Sequence, residues 1–452
     1  MEQLMKNTKD FAVSLVKAAM NKGASAAEVM VVEGSEFSVG VRLGEIEKLK
    51  DSASQHLGLR VLWEGRQAAL STSDFSREAL DRLVQEAVEL AQMTSVDDQL
   101  CLPDEADYAK DWPDLALYDS ELATLATDKK IDLALAVETS AKNTDPRIVN
   151  FDGGGFDAAC RGVIMANSAG FVGSYEATAC SLAIVPIASE NGSMQQDYWY
   201  DNKRKFNQLE SAESIGRQAA NRALRKLGGR KVKTQQVPVV FDQRVAASLL
   251  GDIFQAISGD SIMRKSSFLV GKLEEKIASD LLTIIDDGRI AGALGSRPFD
   301  SDGLPTQRTE VVKNGQLNSY LLNTYTAKKL GLKSTANASR GLSGPPTVTC
   351  NNFFIAAGKS SPKEIISSVK TGFFVTDLMG FGVNIVTGDY SRGASGIWIE
   401  NGELTFPVEE VTIAGNLKEM LKQIEMVGSD LDFRDRISAP TLKIEKMIIS
   451  GE

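Results

Sequence analysis

The chain has one histidine, His56, in 452 residues. That scarcity excludes more chemistry than any single motif adds. A zinc site with two or three imidazoles cannot be built within one such chain, and no His-Glu-x-x-His occurs. A Ser-His-Asp or Cys-His catalytic group would have to use His56. It sits in an apolar strand pattern with Leu57, Leu59 and Val61, where a structural histidine is the simpler reading. Cysteine is also scarce. Cys101, Cys160, Cys180 and Cys350 are far apart and form no C-x-x-C, so neither a disulfide framework nor a zinc knuckle is suggested. We expect reduced, mostly buried packing residues.

Long runs are missing as well. No stretch reaches the roughly 18 unbroken apolar residues of a membrane helix. The start, Met1-Glu2-Gln3-Leu4, lacks the basic and apolar regions of a signal peptide, and we expect a cytoplasmic protein with no membrane partner. The net charge is -10 with no long basic run, which argues against nucleic acid as a partner. The one basic cluster, Arg222, Arg225, Lys226, Arg230, Lys231 and Lys233, falls at a helix end, where cations suit the dipole. Nucleotide motifs fail too. Gly358-Lys359-Ser360 imitates the end of a P-loop, but Phe353 stands where its first glycine belongs. Asp300-Ser301-Asp302-Gly303 is followed by Leu304-Pro305 and reads as a turn, not a calcium loop.

What is there is an α+β pattern. Asp10–Lys22, Ser76–Met93, Leu122–Asn143 and Ser211–Leu227 have helical spacing, with Ser73 or Asp74 as the second helix's cap. Between them lie strand runs at 28–33, 35–43, 45–50, 56–63 and 67–71, then a second β region over 148–200 with corners at Phe151–Gly155 and Asn167–Gly170. We expect an N-terminal antiparallel sheet with flanking helices, as units at 1–100 and 115–230. A C-terminal β-rich domain at 231–452 follows, a barrel-like or strongly curved sheet with a few short helices. There, Asp242 caps a helix over 244–257, Ser361-Pro362-Lys363-Glu364 is a capping box, and Leu417–Met426 is a short helix.

The densest stretch is Val375–Gly402. Two β-rich runs, Val383–Thr387 and Ala394–Glu400, flank a polar turn, Gly388–Gly393, and Asn401-Gly402 is a hairpin turn. Asp389, Tyr390, Ser391 and Arg392 form one polar cluster and are the candidate binding residues. A solvated turn with an Asp–Arg pair is the alternative.

Taken in order, these pieces resemble the TldD/TldE metallopeptidase family, in its TldE (PmbA) branch. The resemblance rests on Asp286-Asp287-Gly288, Ser301–Pro305, Lys313-Asn314-Gly315, Tyr320–Asn323, Gly331–Thr335, Val375–Gly380, Thr387–Gly393, Thr412–Leu417 and Val427–Asp430. It implies a subunit of a heterodimeric peptidase that trims or degrades unfolded peptides. It also implies a TldD-like partner whose His-Glu-x-x-x-His helix and later Cys hold the metal, zinc being expected. The equivalent helix here is 244–257, and that motif would fall near Leu250, Gly251 and Gln255, none of which is such a ligand. No Cys follows Val427 either. The resemblance thus implies no catalytic residue and no metal or other cofactor in this chain, with Asp389, Tyr390, Ser391 and Arg392 facing the peptide chamber or the partner. A stand-alone homodimeric peptide-binding or scaffold protein is the other reading. A third, with Ser391 or Asp389 as a reactive group, lacks a visible base.

Overall fold

The computed structural model describes residues 2–451, with side chains from Thr8 onward. The first half is one antiparallel sheet. Its strand order is Arg66–Thr72, Glu45–Trp63, Ala26–Arg42, Ile148–Asn167, Val172–Glu190 and Ser193–Gln196, with Trp199–Lys203 also pairing Val172–Glu190. Ala26–Arg42 lies between Glu45–Trp63 and Ile148–Asn167, so one strand joins the two sequence stretches into a single sheet.

The two-residue period of a strand sorts its side chains by face. Val29, Val31, Phe37, Val39 and Val41 are buried under helices Glu2–Asn21, Arg77–Met93, Thr127–Thr144 and Ala212–Leu224. Met30 and Val32 point the other way and pack with Phe299 of the second half.

Several sequence boundaries shift. The runs split at Gly34 and at 51–55 are continuous: ladder bonds on both sides carry the chain through Gly34, and pairing with residues 33–37 on one side carries it through 51–55. A Cβ on Gly34 would lie 2.3 Å from the Cys160 carbonyl oxygen, so glycine is what lets the strands meet there. The corner expected at Phe151–Gly155 is a bulge inside Ile148–Asn167, with the register shifting between Phe151 and Gly154. The helix expected over 122–143 is two, Ser120–Ala123 and Thr127–Thr144, since the Thr124 hydroxyl donates back to the Ser120 carbonyl at 2.9 Å and closes the first turn. Ser76 is the cap of Arg77–Met93, while Asp74 accepts from the Ser76 N–H at 2.8 Å, one turn ahead. All four cysteines are unpaired, but Cys101 and Cys160 are half-buried rather than buried. His56 is exposed on the sheet opposite Val32, not packed in the core, because the ladder beyond Leu57 has no outer neighbour there.

The second half is a closed barrel of five strands: Gln235–Phe241, Thr371–Met379, Asp389–Glu400, Glu403–Asn416 and Leu442–Ser450. Pairing of Thr412 with Ser450 closes it. The chain enters by a parallel pair, Phe373 beside Val239, and turns at Asn401-Gly402 with φ of 52° and 83°, the left-handed pair a tight hairpin needs. A small sheet of Arg308–Lys313, Ile284–Asp287 and Asn352–Ile355 stands beside the barrel. Helix Gln243–Ile257 packs between the two and buries Val245, Leu249, Leu250, Ile253 and Phe254. The helix expected over 417–426 stops at Lys422, because Ile424–Val427 is drawn into pairing with Leu442–Ser450.

Candidate functional site

The polar cluster is not a turn. Asp389, Tyr390, Ser391 and Arg392 open the barrel strand Asp389–Glu400, with Asp389 opposite Asn416 and Arg392 opposite Ile413. The run Val383–Thr387 is the irregular element, part of a loop folded over the strand's start. The Ser391 N–H donates to the Gly382 carbonyl at 2.7 Å, and Val383 bridges Tyr390. A Cβ on Gly382 would sit 1.6 Å from the Ser391 carbonyl oxygen, so only glycine admits this crossing. The turn residues were legible; that the following tetrapeptide would be claimed by Glu403–Asn416 was not.

Strand alternation splits the four candidates. Asp389 and Ser391 are exposed, and Tyr390 and Arg392 turn inward. The Asp389 carboxylate accepts from the Thr387 hydroxyl at 2.6 Å and the Asn416 amide at 3.1 Å, which hold its pKa below the ordinary value. Tyr390 is 1% exposed, inside the barrel core. Burial pushes its phenol well above the ordinary range, the Arg392 guanidinium pulls it back, and Asp252 adds to the rise.

Two residues that sequence reasoning missed complete this interior group. Asp242 caps helix Gln243–Ile257 by accepting from the Val245 N–H at 3.0 Å. One face of that helix then carries Ser248 and, four residues on, Asp252. Arg392 Nη1 donates to Ser248 Oγ at 3.0 Å. Asp252 is partly buried, its Oδ2 has no hydrogen-bond donor, and burial raises it to about 6 against the pull of Arg392. Ser248 and Asp252 share the less buried side of the helix with Arg244, Gly251 and Gln255, so the sequence offered no signal that set them apart from a solvated face. Chemically, this is one carboxylate, one guanidinium, one phenol and one hydroxyl, an arrangement that can orient a polar ligand.

Two members of the basic cluster, Arg222 in the last turn of its helix and Lys226 beyond it, also join the two halves through buried carboxylates. Asp197, 1% exposed in its side chain, faces Arg222 Nε at 3.4 Å, Lys226 Nζ at 3.2 Å and Arg244 Nη2 at 3.2 Å. Arg222 also reaches Asp242 at 3.0 Å, and Lys226 reaches Asp377 of the barrel at 3.3 Å. Burial raises the Asp197 carboxyl, but Arg222, Arg244 and Lys226 together outweigh it and hold it below the ordinary range. This network locks helix Ala212–Leu224 of the first half to the helix that carries Ser248 and Asp252.

A full-length helix-covered sheet followed by a closed five-stranded barrel defines a class. Three consecutive models of the PmbA/TldA metallopeptidase domains match the chain: domain 1 over residues 27–91, the central domain over 120–227 and the C-terminal domain over 234–451. The chain belongs to the PmbA/TldD metallopeptidase family. Within it, the chain sits with the PmbA/TldE proteins. It is 39% identical to the metalloprotease PmbA of Escherichia coli, over 98% of this chain and 96% of that one. It is 38% identical to a PmbA homologue of Haemophilus influenzae, over 100% and 97%. A Bacteroides thetaiotaomicron structure, described as a candidate modulator of DNA gyrase, superposes with a TM-score of 0.92 at 31% identity, covering 99% of both chains. TldE from Thermococcus kodakarensis shares the fold, with a TM-score of 0.88 at 23% identity, covering 97% of this chain and 99% of that one.

The metalloprotease names imply a metal in the family, so the donor set matters. Leu250 is fully buried among apolar residues, Gly251 has no side chain and Gln255 is exposed. Asp252 is a single carboxylate facing a guanidinium, which competes with any cation for it. Among the described residues, no group of three or more His, Cys, Asp or Glu is placed to hold a metal ion. The described residues of this helix and its neighbours do not fit a zinc site of the usual His, Cys and carboxylate kind.

Proposed function

We propose that this chain is the TldE-type subunit of a two-protein peptidase. It binds a TldD-like catalytic subunit, walls one side of the chamber in which an unfolded peptide is cut, and leaves the metal to that partner. The observation that carries this reading is helix Gln243–Ile257, which presents Ser248 and Asp252 to Arg392 and no metal-ligand set. Arg392, half-buried beside Ser248, then faces the chamber with Tyr390 packed behind it in the barrel core, while Asp389 and Ser391 face outward with the loop before them. That loop has an apolar tip: Phe381 is fully exposed, and Met379 and Val386 are 50% and 53% exposed, which suits contact with a partner. An extended peptide needs a strand edge. A closed barrel has none; the edge at hand is the outer side of residues 45–56, which Arg66–Thr72 leaves uncovered because it pairs only from Leu57 to Trp63. We place the assembly in the cytoplasm, in keeping with four unpaired cysteines. No helix among the described residues is long and apolar enough to cross a membrane.

The test is hydrolysis of casein or an unstructured peptide by this chain, by a TldD-like subunit, and by their mixture, with metal measured in each sample. Activity confined to the mixture, with metal confined to the partner, is the expected result. Chelator-sensitive hydrolysis by this chain alone would overturn the proposal, and activity of the TldD-like subunit unchanged by this chain would remove the partnership.

A further inference from the structure

Between the uncovered face of the N-terminal sheet and the barrel half lies a cavity of about 510 Å³. This is ample for a small organic ligand. Five arginines line it: Arg161, Arg204, Arg297, Arg340 and Arg436. The side chain of Arg340 is fully buried, yet its Nη1 and Nη2 have no hydrogen-bond partner. Its nearest carboxylate, Glu28, is 3.4 Å from its Nε and already accepts from Arg60 at 3.1 Å. Arg297 donates from Nε to Asn351 at 3.1 Å and leaves a buried Nη2 without an acceptor. Arg204 satisfies itself on carbonyls, those of Thr178 at 3.1 Å and Leu294 at 2.6 Å, and Arg436 bonds Thr349 Oγ1 at 3.2 Å and the Cys350 carbonyl.

The acids nearby are turned to other work. Asp300, the one carboxylate on the lining, accepts from the backbone N–H groups of Asp302, Leu304 and Ala338 at 2.9, 3.0 and 2.9 Å. Asp286 behind it is held by Asn337 and Asn351, and Asp302 by the Thr324 N–H. Burial, and for Asp300 also its neighbour Asp302, pushes Asp286 and Asp300 upward, which thins the negative charge facing the guanidinium groups. A buried guanidinium with unmade N–H bonds is costly unless an anion completes it. The remaining wall is mixed: Ser296, Ser301, Ser339 and Thr349 line it, and Met30, Val32, Met165, Phe299 and Leu342 supply an apolar part.

We propose that this cavity binds a carboxylate with an apolar substituent, gripped in the forked geometry of Arg340 and Arg297 while Met30, Met165 and Phe299 take the substituent. Arg161 and Arg436, both exposed, guide the anion in. Two sources share that chemistry: the C-terminal residue of a peptide, and a free acid such as a released amino acid. Only the choice between them rests on the peptidase reading.

The experiment is calorimetric titration of the full chain alone at low salt. The probes are an unstructured hexapeptide ending in leucine, the same peptide C-terminally amidated, N-acetyl-leucine, and inorganic phosphate. The free-acid peptide binds, the amidated one binds at least roughly tenfold more weakly, and phosphate binds more weakly than either acid. Binding of N-acetyl-leucine as tight as the peptide assigns the site to small acids; peptide binding alone assigns it to a peptide terminus. R436A, at an exposed position, and R297Q each weaken binding about tenfold without lowering Tm; R340Q weakens it further if it folds. Equal binding of acid and amide, no carboxylate binding, tighter binding of phosphate, or unchanged affinity in folded R436A and R297Q would each overturn the assignment. Since no TldD-like subunit is present, a mixture that fails to hydrolyse peptide would refute the peptidase reading and leave this result untouched.

Discussion

Replacing Asp197 by Asn removes one negative charge from the network that joins the two halves and leaves its shape. Three cations within 3.4 Å lose their shared partner, and the side chains involved are 13% exposed or less. Stripping one member from a buried ion cluster costs about 3–5 kcal/mol. Here each cation keeps another acceptor: Arg222 has Asp242, Lys226 has Asp377 and the Gln196 carbonyl, and Arg244 has the carbonyls of Tyr198 and Thr376. The lower end, about 3 kcal/mol, is therefore expected. With unfolding entropy near 2.1 cal/mol/K per residue, a chain of this length gives about 1 kcal/mol/K, so Tm should fall by about 3 °C. The pH dependence carries the sharper test. The Asp197 carboxyl is held below the ordinary value, so its stabilisation is present above the unfolded pKa of about 3.9 and is lost as pH falls through the still lower folded value. Calorimetry at pH 7, 5 and 3.5 should show a full deficit at the first two and a smaller one at the last. An Asp197→Asn chain as stable as the parent at pH 7, or with the same deficit at pH 3.5, would refute the account.

Tyr390→Phe should be neutral or slightly stabilising, because the phenol oxygen has no hydrogen-bond partner, whereas Tyr390→Ala should lose about 3–5 kcal/mol by opening a cavity in the barrel; urea midpoints distinguish them. A Tyr390→Ala, Arg392→Ala double variant therefore loses the fold's stability and cannot report on binding alone. Asp252 is raised to about 6, so the parent loses stability as pH rises from about 4 through that value. Asp252→Asn should thus gain on the parent between pH 4.5 and 7.5 in denaturant titrations, and a gap that ignores pH would contradict the burial. Gly382→Ala should detach the loop from its strand, seen as faster hydrogen exchange at the Ser391 amide with little change in Tm; unchanged protection would mean the crossing tolerates a side chain.

Short-range chemistry was readable from the sequence. Asp242 and the Ser361–Glu364 pair cap their helices as expected, and Asn401-Gly402 and Asn314-Gly315 turn their hairpins with positive φ. These depend on residues within four positions of one another, where steric and hydrogen-bonding preferences act regardless of the rest of the chain. The α+β class and a β-rich C-terminal domain, barrel-like or strongly curved, were legible for the same reason, since periodicity reports which face is buried. The family was legible because many short segments occur in one order along the whole length.

The sequence could not say what each face would meet. Whether Asp389–Arg392 is a turn or a strand depends on Glu403–Asn416 arriving beside it, and that pairing decides which two of the four side chains enter the barrel. Arg222 and Lys226 read as helix-end cations until folding brings Asp197 and Asp242 against them. Arg161, Arg204, Arg297, Arg340 and Arg436 are scattered over the chain and carry no common motif; closure of the sheet face on the barrel half gathers them into one cavity. Composition and local pattern determined the α+β class, the scarcity of histidine and the local caps and turns, while closure of the barrel rests on the distant pairing of Thr412 with Ser450. Long-range packing decided the site, because a charge gains or loses its meaning from partners that only the tertiary fold supplies.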